Sequence, residues 1–459
     1  MDHWHQSLST GPLLGIAAGA IALLLILIIR FKVHAFLALT VVSLATGFAT
    51  LIPPKQILPT MLNGFGDTLA SVALLVGFGA MLGRLVEHSG GAKVLADRMV
   101  EVFGEKRAPF ALGLASLFMA FPIFFDAGLV VMLPIIFAVA RRLDGPLLLY
   151  GLPAAGAFSV MHVFVPPHPG PVTAIAAYGA NPGLVLATGI VVAFPMWYIS
   201  GYLWGKIAGR RYPFAVAEHL FGATDHDTID NPPRVSTVIG LLLIPLVLIF
   251  ANTGLHFAAT LGWVDDQAEW FHVLRLIGQT PVALLISVLV ASYVLGWRRG
   301  EHGSALEKIL DSALPAICSV VLITGAGGMF GGVLQASGIG DALAGSLNNL
   351  GLPVIVATYV VAVMIRLAQG SATVALVTAA GLMAPAVAQG DYSAMQVVAI
   401  VFATAAGSVF ASHVNDSGFW LVGRLMGMDV ATTLKTWTVQ QALESIVAFV
   451  IAYAIFAIF

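Results

Sequence analysis

The sequence predicts an all-α integral membrane protein made of two inverted repeats, with about ten crossings and two re-entrant helical hairpins. Three observations predict this class. Apolar residues fill 59% of the 459 positions and charged residues only 10%. Apolar runs of about 20 residues, the length that crosses a bilayer, recur along the chain. Two glycine-rich blocks in the first half return in the same order in the second.

Composition excludes other classes. A soluble domain carries about 25% charged residues, too many for this chain to match. Mean hydropathy is +0.95. A net charge of -2 offers no basic face to nucleic acid. Cys318 is the only cysteine, so no internal disulfide or thiolate metal cluster forms. No metal and no cofactor is expected. The chain has no Walker A loop, no H-E-x-x-H and no G-x-S-x-G, and no nucleophile–base pair is visible. The reading is therefore not an enzyme.

Crossings are expected at 11–29, 34–52, 68–86, 183–205, 235–251, 280–297, 313–334 and 439–459. The first is read as a retained span, because MDHWHQSLST upstream of it holds no Lys or Arg. With the N-terminus outside, 18 of the 21 Lys and Arg residues fall on the cytoplasmic side, and Lys55 and Arg275 fall outside. Both termini then face out. The polar stretch 206–234 is a cytoplasmic linker between a first repeat, 1–205, and a second, 235–459.

The repeat rests on LVGFGAMLGRLVEHSGG (75–91) over ITGAGGMFGGVLQASGI (323–339). A second block, AAGAFSVMHV (154–163) over AAGSVFASHV (405–414), follows at an offset three residues larger. An odd number of crossings per half turns the second repeat upside down. Inverted repeats place a substrate site near the midplane between them; the bland reading is a duplicated scaffold. The run GAGGMFGG (325–332) is read as close helix packing.

Two regions, 108–180 and 352–426, are too broken for simple spans. Re-entrant hairpins are expected at 108–141, with the tip FPIFFDAG, and at 352–387, with the tip RLAQGSATVAL. Arms of about 13 residues reach mid-membrane without crossing. Broken helices are expected at 146–180, interrupted by HVFVPPHPGPVTA, and at 393–426, interrupted by SHVNDSGFW. Freed backbone at this depth is tolerated where it is buried in protein or lines a wet cavity, so the four breaks should converge.

Helix starts inside the membrane bind carboxylates through free N–H groups and the dipole. Asp126, Ala127 and Gly128 begin one arm; Gly370, Ser371, Ala372 and Thr373 begin another. Asn415 and Ser417 add amide and hydroxyl groups, a mixture suited to a polyhydroxylated acid. Charged groups at this depth are costly and usually functional, which selects Asp126, Arg366 and Asp416, with His162, His168 and His413. Arg366 either contacts substrate or pairs with Asp416 or Asp126. Asp126 and Asp416 also suit helix capping, and His162 and His413 suit packing. His168 is expected at the cavity. Asp126, Asp416 and His162 are the candidates to carry a proton.

FPIFFDAG, HVFVPPHPGPV, RLAQGSATVAL, SHVNDSGFW and LKTWTV (434–439) together resemble the gluconate permease family of bacterial proton symporters, over nearly the whole chain. The resemblance implies an elevator-type carrier in the bacterial inner membrane, acting as a homodimer on gluconate or a related aldonate with protons. HVNDSGFW and FFDAG resemble the sugar-acid branch more than the D-serine branch. The tips lack the Ser-Asn-Thr motifs of related sodium-coupled carriers. A sodium-coupled carboxylate carrier and an anion channel on the same scaffold are the alternatives.

Overall fold

In a computed structural model of the chain, the structure describes residues 6–121, 124–166, 168–214, 232–260, 262–339 and 352–459. Every regular element among them is helical. The first half runs α1 (Thr10–Arg30), α2 (Ala35–Ala49), α3 (Pro54–His88) and α4 (Gly91–Phe103). A hairpin, α5 (Ala108–Met119) and α6 (Phe125–Arg142), leads to a broken pair, α7 (Leu147–Phe164) and α8 (Pro169–Tyr178), and to α9 (Pro182–Arg211). Next come α10 (Val235–Thr260), α11 (Glu269–Ile277), α12 (Thr280–Arg299), α13 (Ser304–Asp311) and α14 (Leu314–Ala336). A second hairpin, α15 (Val354–Gln369) and α16 (Ala372–Ala388), leads to a second broken pair, α17 (Ala394–Val409) and α18 (Ser417–Leu425), and to α19 (Val430–Ile458).

Among the described residues, seven helical segments are long and apolar enough to cross a membrane. The expected crossing at 34–52 is the 15-residue α2, about 22 Å long and short of a full span. The expected 68–86 belongs to a helix that begins at Pro54. The added stretch carries Lys55, Gln56, Asn63 and Asp67, and a helix satisfies its own backbone whatever its side chains. The expected linker 206–234 begins inside α9, which continues to Arg211. Arg210 and Arg211 sit in its last turn, where cations oppose the helix dipole. Residues 215–231 of that linker lie outside the described residues.

The two glycine-rich helices of the repeat, α3 and α14, pack side by side. A Cβ on Gly64 would stand 2.7 Å from the Gly328 carbonyl oxygen and 3.3 Å from Gly332 Cα. Small residues thus bring the two backbones into contact, and GAGGMFGG serves close packing.

The broken pairs form the interior. Nearly all of α7 is buried, against α5, α6 and α9. Residues 398–409 of α17 are all buried, against α15 and α19. By contrast, Val191, Ile207 and Val247 on α9 and α10 are exposed, as lipid-facing side chains are. This leaves the irregular backbone enclosed by protein.

Candidate functional site

Each break has a local cause. α15 ends where Gly370 turns into the left-handed region, φ 87°, which favours glycine. Ser371 then caps α16, its hydroxyl accepting from the Val374 amide at 3.3 Å. Only Gly370 and Ser371 interrupt the helices here, a tighter tip than the expected RLAQGSATVAL. Arg366 consequently lies on the last turn of α15 rather than in a loop. In the first hairpin, Pro122 and Ile123 lie outside the described residues; α6 begins at Phe125, with Asp126 in its first turn. α7 stops at Val165, which is extended, and Pro169 starts α8 at a position where its missing N–H is no loss. α17 stops before Ala411, φ 47°, and Asp416 caps α18, Oδ1 accepting from the Gly418 amide at 2.9 Å.

The four breaks meet at one cavity of about 280 Å³. Asp126 lines it from the first hairpin, His162 and Pro169 from the first broken helix. Arg366, Ser371, Ala372 and Thr373 line it from the second hairpin, Asp416 and Ser417 from the second broken helix. Phe124, Phe125 and Trp437 supply aromatic walls. Trp437 belongs to a π-helical turn, Leu434–Thr438, inside the LKTWTV stretch.

One ion pair spans the second hairpin and the second broken helix. Arg366 Nη2 donates to Asp416 Oδ2 at 2.5 Å. The same carboxylate oxygen accepts from Ser412 Oγ at 2.5 Å, and Ser412 Oγ accepts from Trp437 Nε1 at 3.0 Å. Arg366 is 2% exposed, and its Nε and Nη1 have no hydrogen-bond partner among the described residues. Across the cavity, Thr373 Oγ1 and His162 Nε2 lie 3.4 Å apart.

Other expected residues stand behind this wall. His168 is buried, with Nε2 3.1 Å from the Ala120 carbonyl and its ring centroid 4.9 Å from that of His162. Ala127 and Gly128 are buried in α6, and a Cβ on Gly128 would collide with the Phe158 ring. Asn415 is buried; its Nδ2 donates to the Leu367 carbonyl at 2.9 Å, and its Oδ1 has no partner among the described residues. Gly370 packs on Asn415, whose carbonyl oxygen a Cβ there would strike. These residues shape the tips. His413 does not line the cavity, and its Nδ1 has no hydrogen-bond partner among the described residues.

Sequence reasoning missed three residues. It held Asp126 and Asp416 to be the two acids at membrane depth, but Glu444 is a third, fully buried in α19. Ser159 and Gln441 reach the cavity and join Glu444 to it. The signal was present: Gln440, Gln441 and Glu444 interrupt the apolar run expected at 439–459.

The chain matches the family described as GntP family permease over residues 11–458. It is 40% identical to the inner membrane permease YgbN of Escherichia coli K12, covering 98% of this chain and 100% of that one. It is 36% identical to a gluconate permease of Pseudomonas aeruginosa, over 93% and 94% of the two chains. It is also 36% identical to the Gnt-II system L-idonate transporter of Escherichia coli K12, over 97% and 99%. Long apolar helices, a cavity lined by buried charged and polar groups, and these full-length matches agree that the chain is a membrane transport protein rather than an enzyme, and that it belongs to the GntP family of permeases.

Proposed function

We propose that this protein is a proton-coupled symporter that imports gluconate or a closely related sugar-acid anion across the bacterial inner membrane. The observation that carries the reading is the single cavity at which both hairpin ends and both helix breaks converge. Its volume lies near the lower end of the range for small-molecule sites, roughly 300–1,000 Å³. Arg366, with two unpartnered nitrogens, and the start of α16 at Ser371–Thr373 suit a carboxylate. Asp126, Ser417 and Thr373 suit hydroxyl groups. Relatives named for gluconate and L-idonate support the substrate class.

Charge balance supports coupling to a cation. With both carboxylates ionised, Asp126, Asp416 and Arg366 together leave one negative charge at the cavity. An entering anion adds a second in a poorly solvated place, which a co-transported cation offsets. The proposed architecture is two inverted repeats, with one hairpin opening to each side, both termini outside, and the dimeric, elevator-type movement that the family resemblance implies. The recurring order of long helix, hairpin, broken helix and long helix in the two halves supports it.

The test is uptake of labelled gluconate into proteoliposomes, competed by L-idonate, D-glycerate and D-serine. Accumulation under an inside-alkaline gradient, abolished by a protonophore and indifferent to sodium, is expected. A sodium requirement would make the protein a sodium-coupled carboxylate carrier. Equilibration without accumulation under any ion gradient would make it an anion channel.

A further inference from the structure

We propose that Glu444 is the group that carries the proton, and that Ser159 and Gln441 transmit its protonation state to the cavity. This rests on the proton-coupled reading above. Glu444 is 0% exposed and sits behind the cavity wall in α19. Ser159 Oγ lies 3.0 Å from its Oε1, and Gln441 Nε2 donates to its Oε2 at 3.1 Å. Gln441 Nε2 also donates to Ser159 Oγ at 3.0 Å, while Ser159 Oγ stands 3.2 Å from Gln441 Oε1. All three side chains are therefore mutually bonded, and Ser159 and Gln441 line the cavity.

Among the described residues, no cation pairs with this acid. Of the helices packed against Val439–Ile458, α15 carries Tyr359 and Arg366, α7 carries Tyr150 and His162, and α9 carries Tyr198, Tyr202, Lys206, Arg210 and Arg211, while α17 carries no titratable group. None of them hydrogen-bonds Glu444 among the described residues. Tyr359 is taken up by Ser445, with their oxygens 3.1 Å apart. Arg366 acts on Glu444 only through space and is already paired with Asp416. A carboxylate enclosed by neutral partners is costly unless it holds a proton. Asp416, by contrast, has a guanidinium, a hydroxyl and an amide around it, and Asp126 lies on the cavity wall.

The hydroxyl between acid and cavity provides the coupling. With Glu444 ionised, the single Ser159 hydrogen is donated to Oε1. When a proton binds Oε1, that bond reverses: the new carboxyl O–H donates to Ser159 Oγ. The Ser159 hydrogen is released toward Gln441 Oε1 or into the cavity, where an anion or a hydroxyl accepts it. Protonation thus removes one negative charge behind the cavity and presents one more donor in it. By linkage, bound anion then favours the proton as the proton favours the anion.

The experiment compares the full-length wild type with Glu444→Gln and Glu444→Asp in proteoliposomes, using labelled gluconate. Glu444→Gln should retain gluconate exchange at equal internal and external pH, yet lose at least tenfold of its pH-driven accumulation. Glu444→Asp should keep accumulation with a displaced pH midpoint, and Ser159→Ala should flatten the pH dependence of binding. A wild type that accumulates while Glu444→Gln accumulates equally overturns the assignment alone. A wild type that fails to accumulate overturns the proton-coupled reading and this assignment with it. Should Glu444→Gln not fold, infrared difference spectra on adding gluconate decide the matter. A protonated-carboxyl band that moves in Glu444→Asp supports the proposal, and an unmoved or absent band overturns it.

Discussion

The guanidinium of Arg366 and the carboxylate of Asp416 meet at 2.5 Å, joining the last turn of α15 to the residue that caps α18. The pair locks the second hairpin to the second broken helix at the cavity wall. Removing one partner strands the other. Asp416→Leu should destabilise by roughly 3–5 kcal/mol, because a buried guanidinium loses its compensating charge. The double variant Arg366→Met with Asp416→Leu should regain most of that stability but bind no gluconate. Thermal unfolding in detergent and equilibrium binding measure the two effects. Restored binding in the double variant would remove Arg366 from the substrate site.

The hairpin end on the cavity calls for a finer substitution than enlarging Gly370. Its positive φ and its contact with the Asn415 backbone mean that any Cβ there disturbs folding as well as binding. Thr373→Val keeps the shape of the side chain and removes the hydroxyl that faces His162. Affinity for gluconate should fall about tenfold, the worth of one hydrogen bond of about 1.4 kcal/mol. Folded yield should stay unchanged. Wild-type affinity in Thr373→Val would exclude that hydroxyl from the site.

Asp126 begins α6 at the cavity wall, where it can accept from substrate hydroxyls. Asp126→Asn should weaken binding of polyhydroxylated acids more than that of a short acid such as D-glycerate. At saturating gluconate it should still accumulate substrate under a pH gradient. Loss of accumulation with intact exchange would instead give Asp126 the coupling role assigned to Glu444.

The N-terminus of α19 offers a stability test away from the cavity. Asp429 caps it, with Oδ1 accepting from the Thr432 amide at 2.7 Å. Burial pushes its carboxyl up, but the hydrogen bonds from Thr432 and the charges of Lys32 and Lys435 outweigh this and hold it below the usual 3.8. A group lowered on folding stabilises above its unfolded value and loses that contribution as pH falls through the folded value. Asp429→Ala should therefore cost about 1 kcal/mol at neutral pH and less below about pH 4. Unfolding midpoints at the two pH values check the sign.

Topology is open to labelling. In a Cys318→Ala background, Ser7→Cys should react from outside and Thr224→Cys, which lies outside the described residues, from the cytoplasm. Labelling of both from one face would overturn the proposed crossing count.

The sequence by itself determined the class, the family and the places where helices stop. Hydropathy dictates burial in lipid. Gly370 with Ser371, Pro169 with its neighbours, and Asp416 before Ser417 are local stop and start signals that act within a few residues. What it left open was which polar groups share a wall, because that depends on helices far apart in sequence. Arg366 had two possible acid partners, and only the packing of α18 beside α14 and α19, with Asp416 at its cap, chose Asp416. His168 sits in the most conspicuous break, yet the fold turns it to the Ala120 carbonyl behind the cavity. Glu444 lies inside a crossing helix, marked only by its polar neighbours Gln440 and Gln441. It gains its meaning from Ser159, 285 residues earlier, which the packing of α7 against α19 brings to 3.0 Å. A side chain's depth and partners are set by tertiary contact, and charge at that depth is expensive enough for those contacts to decide its role.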